Sequence, residues 1–275
     1  MDNQIIAFIG GGNMARSLIG GLIADGFPSE RIRVADPGAE QRAALASAFG
    51  VYVTADNVDA ARGANAVVLA VKPQIIRDVA AQLGPQLAED RAVAISIAAG
   101  IREADLSQWL GAGLPVVRTM PNTPSLVQSG ATALYANAQV TAGQRSLAES
   151  LMRAVGLTCW LDDESLMDAV TAVSGSGPAY FFLLMELMED AGTELGLPRE
   201  TARLLSLQTA LGAAKMALES DDDACTLRRR VTSPGGTTEQ AIRTFEDGGL
   251  RDLVRQALRA AADRANALGN ELGQQ

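Results

Sequence analysis

The sequence predicts two architectures in series: an open, doubly wound α/β sheet over residues 1–162, then an all-α domain over residues 163–275. Three observations carry this expectation. Short apolar runs alternate with stretches of helical periodicity as far as residue 161, the pattern of strands and helices wound into one sheet. A glycine-rich turn follows the first apolar run at once. After Asp162-Asp163 the pattern is helical almost throughout.

Residues 4–9 form a short apolar run suited to a buried parallel strand. Gly10-Gly11-Gly12-Asn13-Met14-Ala15 follows, a G-x-G-x-x-A turn. Met14, Leu18, Ile19 and Leu22 then recur at helical spacing, with Gly26 as the stop. Strand, glycine turn and helix in this order are the dinucleotide-binding fingerprint, in which backbone N–H groups and a helix N-terminus meet a pyrophosphate. The N-terminal half is therefore expected to be a Rossmann-type sheet.

The second strand is expected at residues 32–35, with Asp36 at its end. Two readings of Asp36 stand. An acidic residue there accepts from the adenosine 2′-hydroxyl and repels a 2′-phosphate. Alternatively, Asp36 initiates the Pro37-Gly38 turn or caps the helix from Ala39, with Arg33 and Arg42 offering counter-charge. The cofactor stays open between NADH and NADPH. A strand at 51–53 leads to Asn57 in the following loop or cap, and a buried strand at 66–71 ends at Lys72-Pro73 before a helix through Ile75, Ile76 and Val79. Strand ends in such a sheet border the ligand crevice, so Ala70, Val71, Lys72 and Pro73 are cofactor candidates. The strand at 92–97 ends at Ala98-Ala99-Gly100, where small residues let backbone approach a flat ring. The sheet continues through 115–120, the rigid turn Pro121-Asn122-Thr123-Pro124, a strand at 131–135, a helix at 144–155 and a last strand at 156–161.

In the second half, residues 166–173 read as helical, and Ser174-Gly175-Ser176-Gly177-Pro178 interrupts them. The helix at 180–195 is apolar on nearly every side, through Phe181, Phe182, Leu183, Leu184, Met185, Leu187 and Met188. Such a helix must be buried all round, and a small helical domain offers little interior for that. A homodimer through the helical domain is expected. Helices at 199–219 and from Leu250 onward complete it.

Before the last helices stands Val231-Thr232-Ser233-Pro234-Gly235-Gly236-Thr237-Thr238. Paired glycines can turn backbone N–H groups toward one point, and the helix from about Glu239 adds its positive dipole end. Ser233, Thr237 and Thr238 place hydroxyls around that concavity. The arrangement suits a small carboxylate with a polar atom beside it. It is also compatible with a plain Pro-Gly-Gly turn capped by Thr238.

Composition narrows the chemistry. The net charge of -9 argues against a general nucleic-acid or anionic-membrane surface. No apolar run reaches the length of a membrane span. Met1-Asp2-Asn3-Gln4 does not resemble the opening of a signal peptide, and Cys159 and Cys225 are the only cysteines, so a cytoplasmic location is expected. There is no histidine, which removes His-based triads, HExxH zinc sites and imidazole acid–base catalysis. With only two cysteines as well, no metal site is expected. The chemistry must come from a cofactor, a hydroxyl, a carboxylate, a lysine or backbone donors.

The chain resembles the pyrroline-5-carboxylate reductases over essentially its whole length. The segments that carry the resemblance are Phe8 to Ala15, Ala70-Val71-Lys72-Pro73, Met120 to Pro124, Asp168 to Thr171 with Ser174 to Tyr180, and Ser233 to Thr238. The resemblance implies a Rossmann-type domain, a helical dimerisation domain and, in many members, a ring of dimers. It places NADPH or NADH against Gly10, Gly11, Gly12, Asn13, Met14, Asp36, Asn57, Ala70, Val71, Lys72, Pro73, Ala98 and Ala99. It places the carboxylate of a cyclic imino acid against Ser233, Gly235, Gly236, Thr237 and Thr238, with Glu164 near the ring nitrogen and Thr238 as the catalytic hydroxyl. Asp36 departs from the small hydroxyl residue common at its position, and Arg230 from a polar uncharged one. The implied reaction is hydride transfer to the C=N carbon of 1-pyrroline-5-carboxylate, giving L-proline, the last step of proline biosynthesis. Two other classes share the layout: a β-hydroxyacid dehydrogenase using Lys215, although Glu219 stands where that class has an asparagine, and a non-catalytic nicotinamide sensor.

Overall fold

The computed structural model describes residues 4–273. Eight strands form one sheet: β1 (Ile6–Ile9), β2 (Ile32–Ala35), β3 (Tyr52–Thr54), β4 (Ala66–Leu69), β5 (Val93–Ser96), β6 (Val116–Met120), β7 (Gly130–Ala136) and β8 (Gly156–Trp160). Their order is β3-β2-β1-β4-β5-β6-β7-β8. All pairs are parallel except β6 with β7. This is the expected doubly wound Rossmann-type sheet, and the order reverses direction at β1, where such sheets open their ligand crevice.

Strand β1 is apolar at every position because both faces of the sheet are covered. Ile6 and Phe8 join one core with Leu18, Ile19 and Leu22 of helix α1 (Asn13–Ala24). Ala7 and Ile9 join the other, with Val67, Leu69, Ala60 and Ala61 of α3 (Asn57–Ala61), and Ile76, Leu83 and Leu87 of α4 (Ile76–Asp90). Helix α2 (Ala39–Phe49) lies between these in the chain, and α5 (Glu103–Leu110) and α6 (Ala142–Arg153) follow β5 and β7. Helix α5 has no counterpart among the elements expected from sequence. It is short and its fully buried side chains are only Leu106 and Leu110, too few to mark a helical period.

The expected interruption at 174–178 is not a break. Helix α7 (Met167–Val170) continues into one wide turn, Thr171–Gly175, closed by Ser176 N–H donating to the Thr171 carbonyl at 2.8 Å. Helix α8 (Gly177–Glu194) starts directly after it. A helix can absorb one extra residue as such a turn, and Pro178 sits in the first turn of α8, where its missing N–H is not needed.

The change from sheet to helix falls near residue 162, where the two domains were expected to divide. Packing divides the chain elsewhere: residues up to Ser176 together with those from Ala261 form one compact unit, and Gly177–Ala260 form a second. Met167 and Ala172 are buried, and Asn266 donates to the Asp168 carboxylate at 2.9 Å. These contacts keep the early helical residues and the end of α12 (Leu250–Gly273) in the first unit.

The second unit is helical: α8, α9 (Arg199–Glu219), α10 (Ala224–Arg230), α11 (Thr237–Asp247) and the start of α12. Gly196, at φ +98°, closes α8 and Leu197 N–H returns to the Gly192 carbonyl, a Schellman-type stop. Helix α10 was not expected. It is capped by Asp223, which accepts from Thr226 N–H at 2.7 Å, and the basic run Arg228-Arg229-Arg230 forms its last turn, the favourable end of the dipole for cations. Arg230 pairs there with Asp222.

Candidate active site

The glycine turn joins β1 to α1. Gly10 has φ +100°, and a Cβ there would lie 2.6 Å from the Ala70 carbonyl oxygen. Only glycine permits both the conformation and the approach. The turn is thereby pressed against the end of β4, with Gly10 N–H donating to the Ala35 carbonyl and Ala70 N–H to the Ile9 carbonyl, both at 2.8 Å. Gly12 caps α1 without a side chain and is exposed, and a Cβ on it would meet nothing within 4 Å. The first-turn N–H groups of Asn13 and Met14 are therefore open donors at a positive helix end. This cradle fits a dinucleotide pyrophosphate.

The other cofactor candidates fall around it in different ways. Asp36 is built into the turn: its Oδ2 accepts from Gly11 N–H and its Oδ1 from Gly38 N–H, both at 2.8 Å. Gln41, which sequence reasoning missed, donates from Nε2 to the Gly11 carbonyl. Val71 and Pro73 are half-buried and Lys72 is exposed beyond β4, while Ala98 is buried and Ala99 exposed beyond β5. Strands β4 and β5 are neighbours, so these two candidate groups flank one sheet edge. Asn57 opens α3 behind the Asp56 cap and donates to Gln82 Oε1 at 3.0 Å.

Two further motifs meet in the first unit. Asn122, in the turn after β6, donates to the carbonyl and the hydroxyl of Ser174 at 3.2 Å each and accepts from Ala131 N–H. A Cβ on Gly175 would lie 2.4 Å from Met120 Cε. Glu164 is not a free carboxylate. Its Oε1 accepts from Arg118 Nη1 at 2.8 Å and from Glu103 N–H at 2.7 Å. Arg118, on β6, is only 6% exposed. A buried arginine on a strand is a visible sequence signal for an acidic partner, yet its number does not reveal which one. Burial, helped by the Glu164, Glu103 and Asp163 carboxylates, pushes the Tyr135 phenol above its usual range. The Ser165 hydroxyl and N–H hold Asp163 below the usual carboxylate value.

In the second unit, the turn before α11 has Gly235 at φ +72°. Four N–H groups were expected to face an anion here, and two are committed internally. Gly235 N–H donates to Glu239 Oε2 at 2.8 Å, and Gly236 N–H donates to the Ser233 carbonyl at 3.0 Å. Gly236, not Thr238, is the N-cap of α11, and no side chain caps the helix start. Among the described residues, the N–H groups of Thr237 and Thr238 stay open. Ser233, Thr237 and Thr238 are exposed. Glu239, at the third helical position, occupies the place from which a capping-box carboxylate reaches back. That signal was available in the sequence and was missed. Lys215 is exposed and its Nζ lies 3.7 Å from Glu219 Oε1, the i,i+4 pairing of a surface lysine.

Two family models match different parts of the chain. Residues 164–268 match the family model for pyrroline-5-carboxylate reductase dimerisation, and residues 5–100 match that for NADP oxidoreductase, coenzyme F420-dependent. A curated pyrroline-5-carboxylate reductase from Pseudomonas aeruginosa is 58% identical over 274 residues, covering 100% of both chains. The chain belongs to the pyrroline-5-carboxylate reductase family. A solved pyrroline-5-carboxylate reductase from Coxiella burnetii is 49% identical, with a TM-score of 0.94, covering 96% of this chain and 98% of that one. The Plasmodium falciparum pyrroline carboxylate reductase, solved with NADP bound, is 30% identical, with a TM-score of 0.86, covering 98% of this chain and 99% of that one. Family membership does not favour the Lys215 dehydrogenase alternative.

Proposed function

We propose that this chain reduces the C=N bond of 1-pyrroline-5-carboxylate to give L-proline, using NADPH or NADH. The observation that carries the proposal is the open pair of N–H groups at Thr237 and Thr238 beside the Thr238 hydroxyl, in a chain that matches the family end to end. When bound, the nicotinamide dinucleotide supplies the hydride for the imine carbon. The residues of the chain bind and orient. Gly10, Gly11, Gly12, Asn13 and Met14 hold the pyrophosphate, with Asp36, Asn57, Ala70 to Pro73, Ala98 and Ala99 as the remaining cofactor contacts. The Thr237 and Thr238 N–H groups hold the substrate carboxylate; Gly235 and Gly236 shape the turn, and Ser233 lines it. The Thr238 hydroxyl accepts a hydrogen bond from the protonated ring nitrogen, which keeps the imine electrophilic without a histidine. Glu164 faces the ring nitrogen in the family pattern. Its pairing with Arg118 fixes its rotamer and offsets its charge, so we assign it to orientation.

The dimerisation-family match and the exposed apolar face of α8 support a homo-oligomer. We propose a homodimer through the helical residues, with rings of dimers as a further level, and a cytoplasmic location. No helix among the described residues is long and apolar enough to cross a membrane.

Thr238→Ala tests the proposal. Turnover with pyrroline-5-carboxylate should fall about a hundredfold, while the thermal midpoint and the cofactor Kd stay at wild-type values. Wild-type turnover in that variant removes the hydroxyl from the mechanism.

A further inference from the structure

Asp36 offers more than a place beside the cofactor. Its backbone N–H donates to the Thr54 carbonyl at 3.1 Å, which fixes the end of β2. Its carboxylate is held at both oxygens, by Gly11 N–H and by Gly38 N–H. Backbone also closes over it: a Cβ on Gly11 would lie 3.3 Å from Oδ2, and one on Gly38 3.1 Å from Oδ1. Swinging the side chain aside would leave the part-buried Gly11 N–H unpaired, which is costly. One oxygen rests on the glycine turn itself, next to the Gly12 cradle, and each oxygen retains a lone pair.

Among the described residues, two arginines close in sequence direct hydrogen bonds to main-chain carbonyls rather than to this carboxylate. Arg42, six residues further on, directs Nη1 to the Asp36 carbonyl at 2.7 Å and to the Pro37 carbonyl at 2.9 Å. Arg33 directs Nη1 to the Arg62 carbonyl at 2.5 Å. Both arginines serve main-chain carbonyls. In folds of this kind the adenosine ribose lies at the end of the second strand. A 2′-hydroxyl there can donate to a fixed carboxylate. A 2′-phosphate brings a second negative charge against one that cannot move away.

We propose that Asp36 sets the cofactor preference of this chain, selecting the dinucleotide with a free adenosine 2′-hydroxyl, NADH, over NADPH. The proposal rests on the assignment of the glycine turn as the dinucleotide cradle. The residues present fit the pyrophosphate but not the 2′-phosphate.

The test is calorimetric binding to the full chain, independent of turnover. NADH and NADPH are titrated in parallel, with 2′-AMP and 5′-AMP as probes that isolate the ribose phosphate. Wild-type protein should bind NADH at least tenfold more tightly than NADPH. Asp36→Asn, which keeps one acceptor oxygen for the turn, should bring the two within about threefold, mainly by tightening NADPH and 2′-AMP. Asp36→Ser should act in the same direction. Arg42→Ala should leave the NADPH Kd within twofold. Equal or tighter wild-type binding of NADPH overturns the proposal without any variant, as does a tenfold loss of NADPH binding in Arg42→Ala. If the wild type binds neither dinucleotide, the cradle assignment itself fails, and the preference with it.

Discussion

Helices α1 and α8 are both rich in large apolar residues, yet they meet opposite fates. In α1, Leu18, Ile19 and Leu22 are buried against the sheet. In α8, Phe181 and Phe182 are each 63% exposed, and Leu183, Leu184, Leu187 and Met188 are exposed with them; Gly177 is its only buried residue. The first unit completes its own interior because a sheet buries alternate residues of each strand on two faces. The second has no sheet, and its helices leave large apolar side chains exposed together, as in a surface that other chains cover. A half whose sheet is covered on both faces is joined to a helical half whose apolar helix α8 lies exposed.

The strongest way to break this contrast is to charge the exposed face. Phe181→Glu combined with Phe182→Glu should convert the oligomer to monomer in light scattering. It should also lower the thermal midpoint by more than about 10 °C, since several kcal/mol of apolar burial is lost. An unchanged oligomer would place the interface elsewhere. A smaller effect is expected within the first unit. Arg118→Ala leaves Glu164 without its ion-pair partner next to a buried edge and should cost about 3 kcal/mol in denaturant unfolding, without altering the oligomer. If the oligomer dissociates instead, the two halves are not separable in the way their cores suggest.

The smallest effect concerns pH. Thr226, through its N–H and hydroxyl, holds the Asp223 carboxyl at the start of α10 below its usual value of 3.8. A depressed folded value means that this stabilisation is fully present above the unfolded pKa and is lost as pH falls through the folded one. Thermal midpoints followed from pH 5 to pH 2 should therefore drop less steeply in Asp223→Asn, which can cap without titrating. Equal slopes would mean that the cap carries no measurable share of acid stability.

Most of the first unit was legible because its signals are local. A four-residue apolar strand, a glycine turn and an amphipathic helix identify one another by adjacency. Helix α5 was not, because two fully buried side chains cannot define a period. The run at 174–178 read as a break because glycine, serine and proline usually punctuate. Here the chain absorbs the irregularity as one wide turn, held where Gly175 meets Met120 and Asn122 meets Ser174. Among the proposed site residues, Gly10, Gly12 and Thr238 stood out by residue type and position. Arg118 with Glu164 did not, since a pair of charges depends on which groups the fold brings within 3 Å; Glu239 with Gly235 was within local reach, as a carboxylate at the third helical position, and was missed.

By itself the sequence determined the alternation of strands and helices in the first half, the glycine turn, the absence of histidine chemistry and the apolar helix α8. These follow from residue type and spacing, which act over one or two turns of backbone. Only the tertiary structure decided which donors remain open. It clamped Asp36 to Gly11, 25 residues away, and paired Glu164 with the buried Arg118. Hydrogen-bonding capacity is finite, and its allocation is settled only when distant segments are brought together.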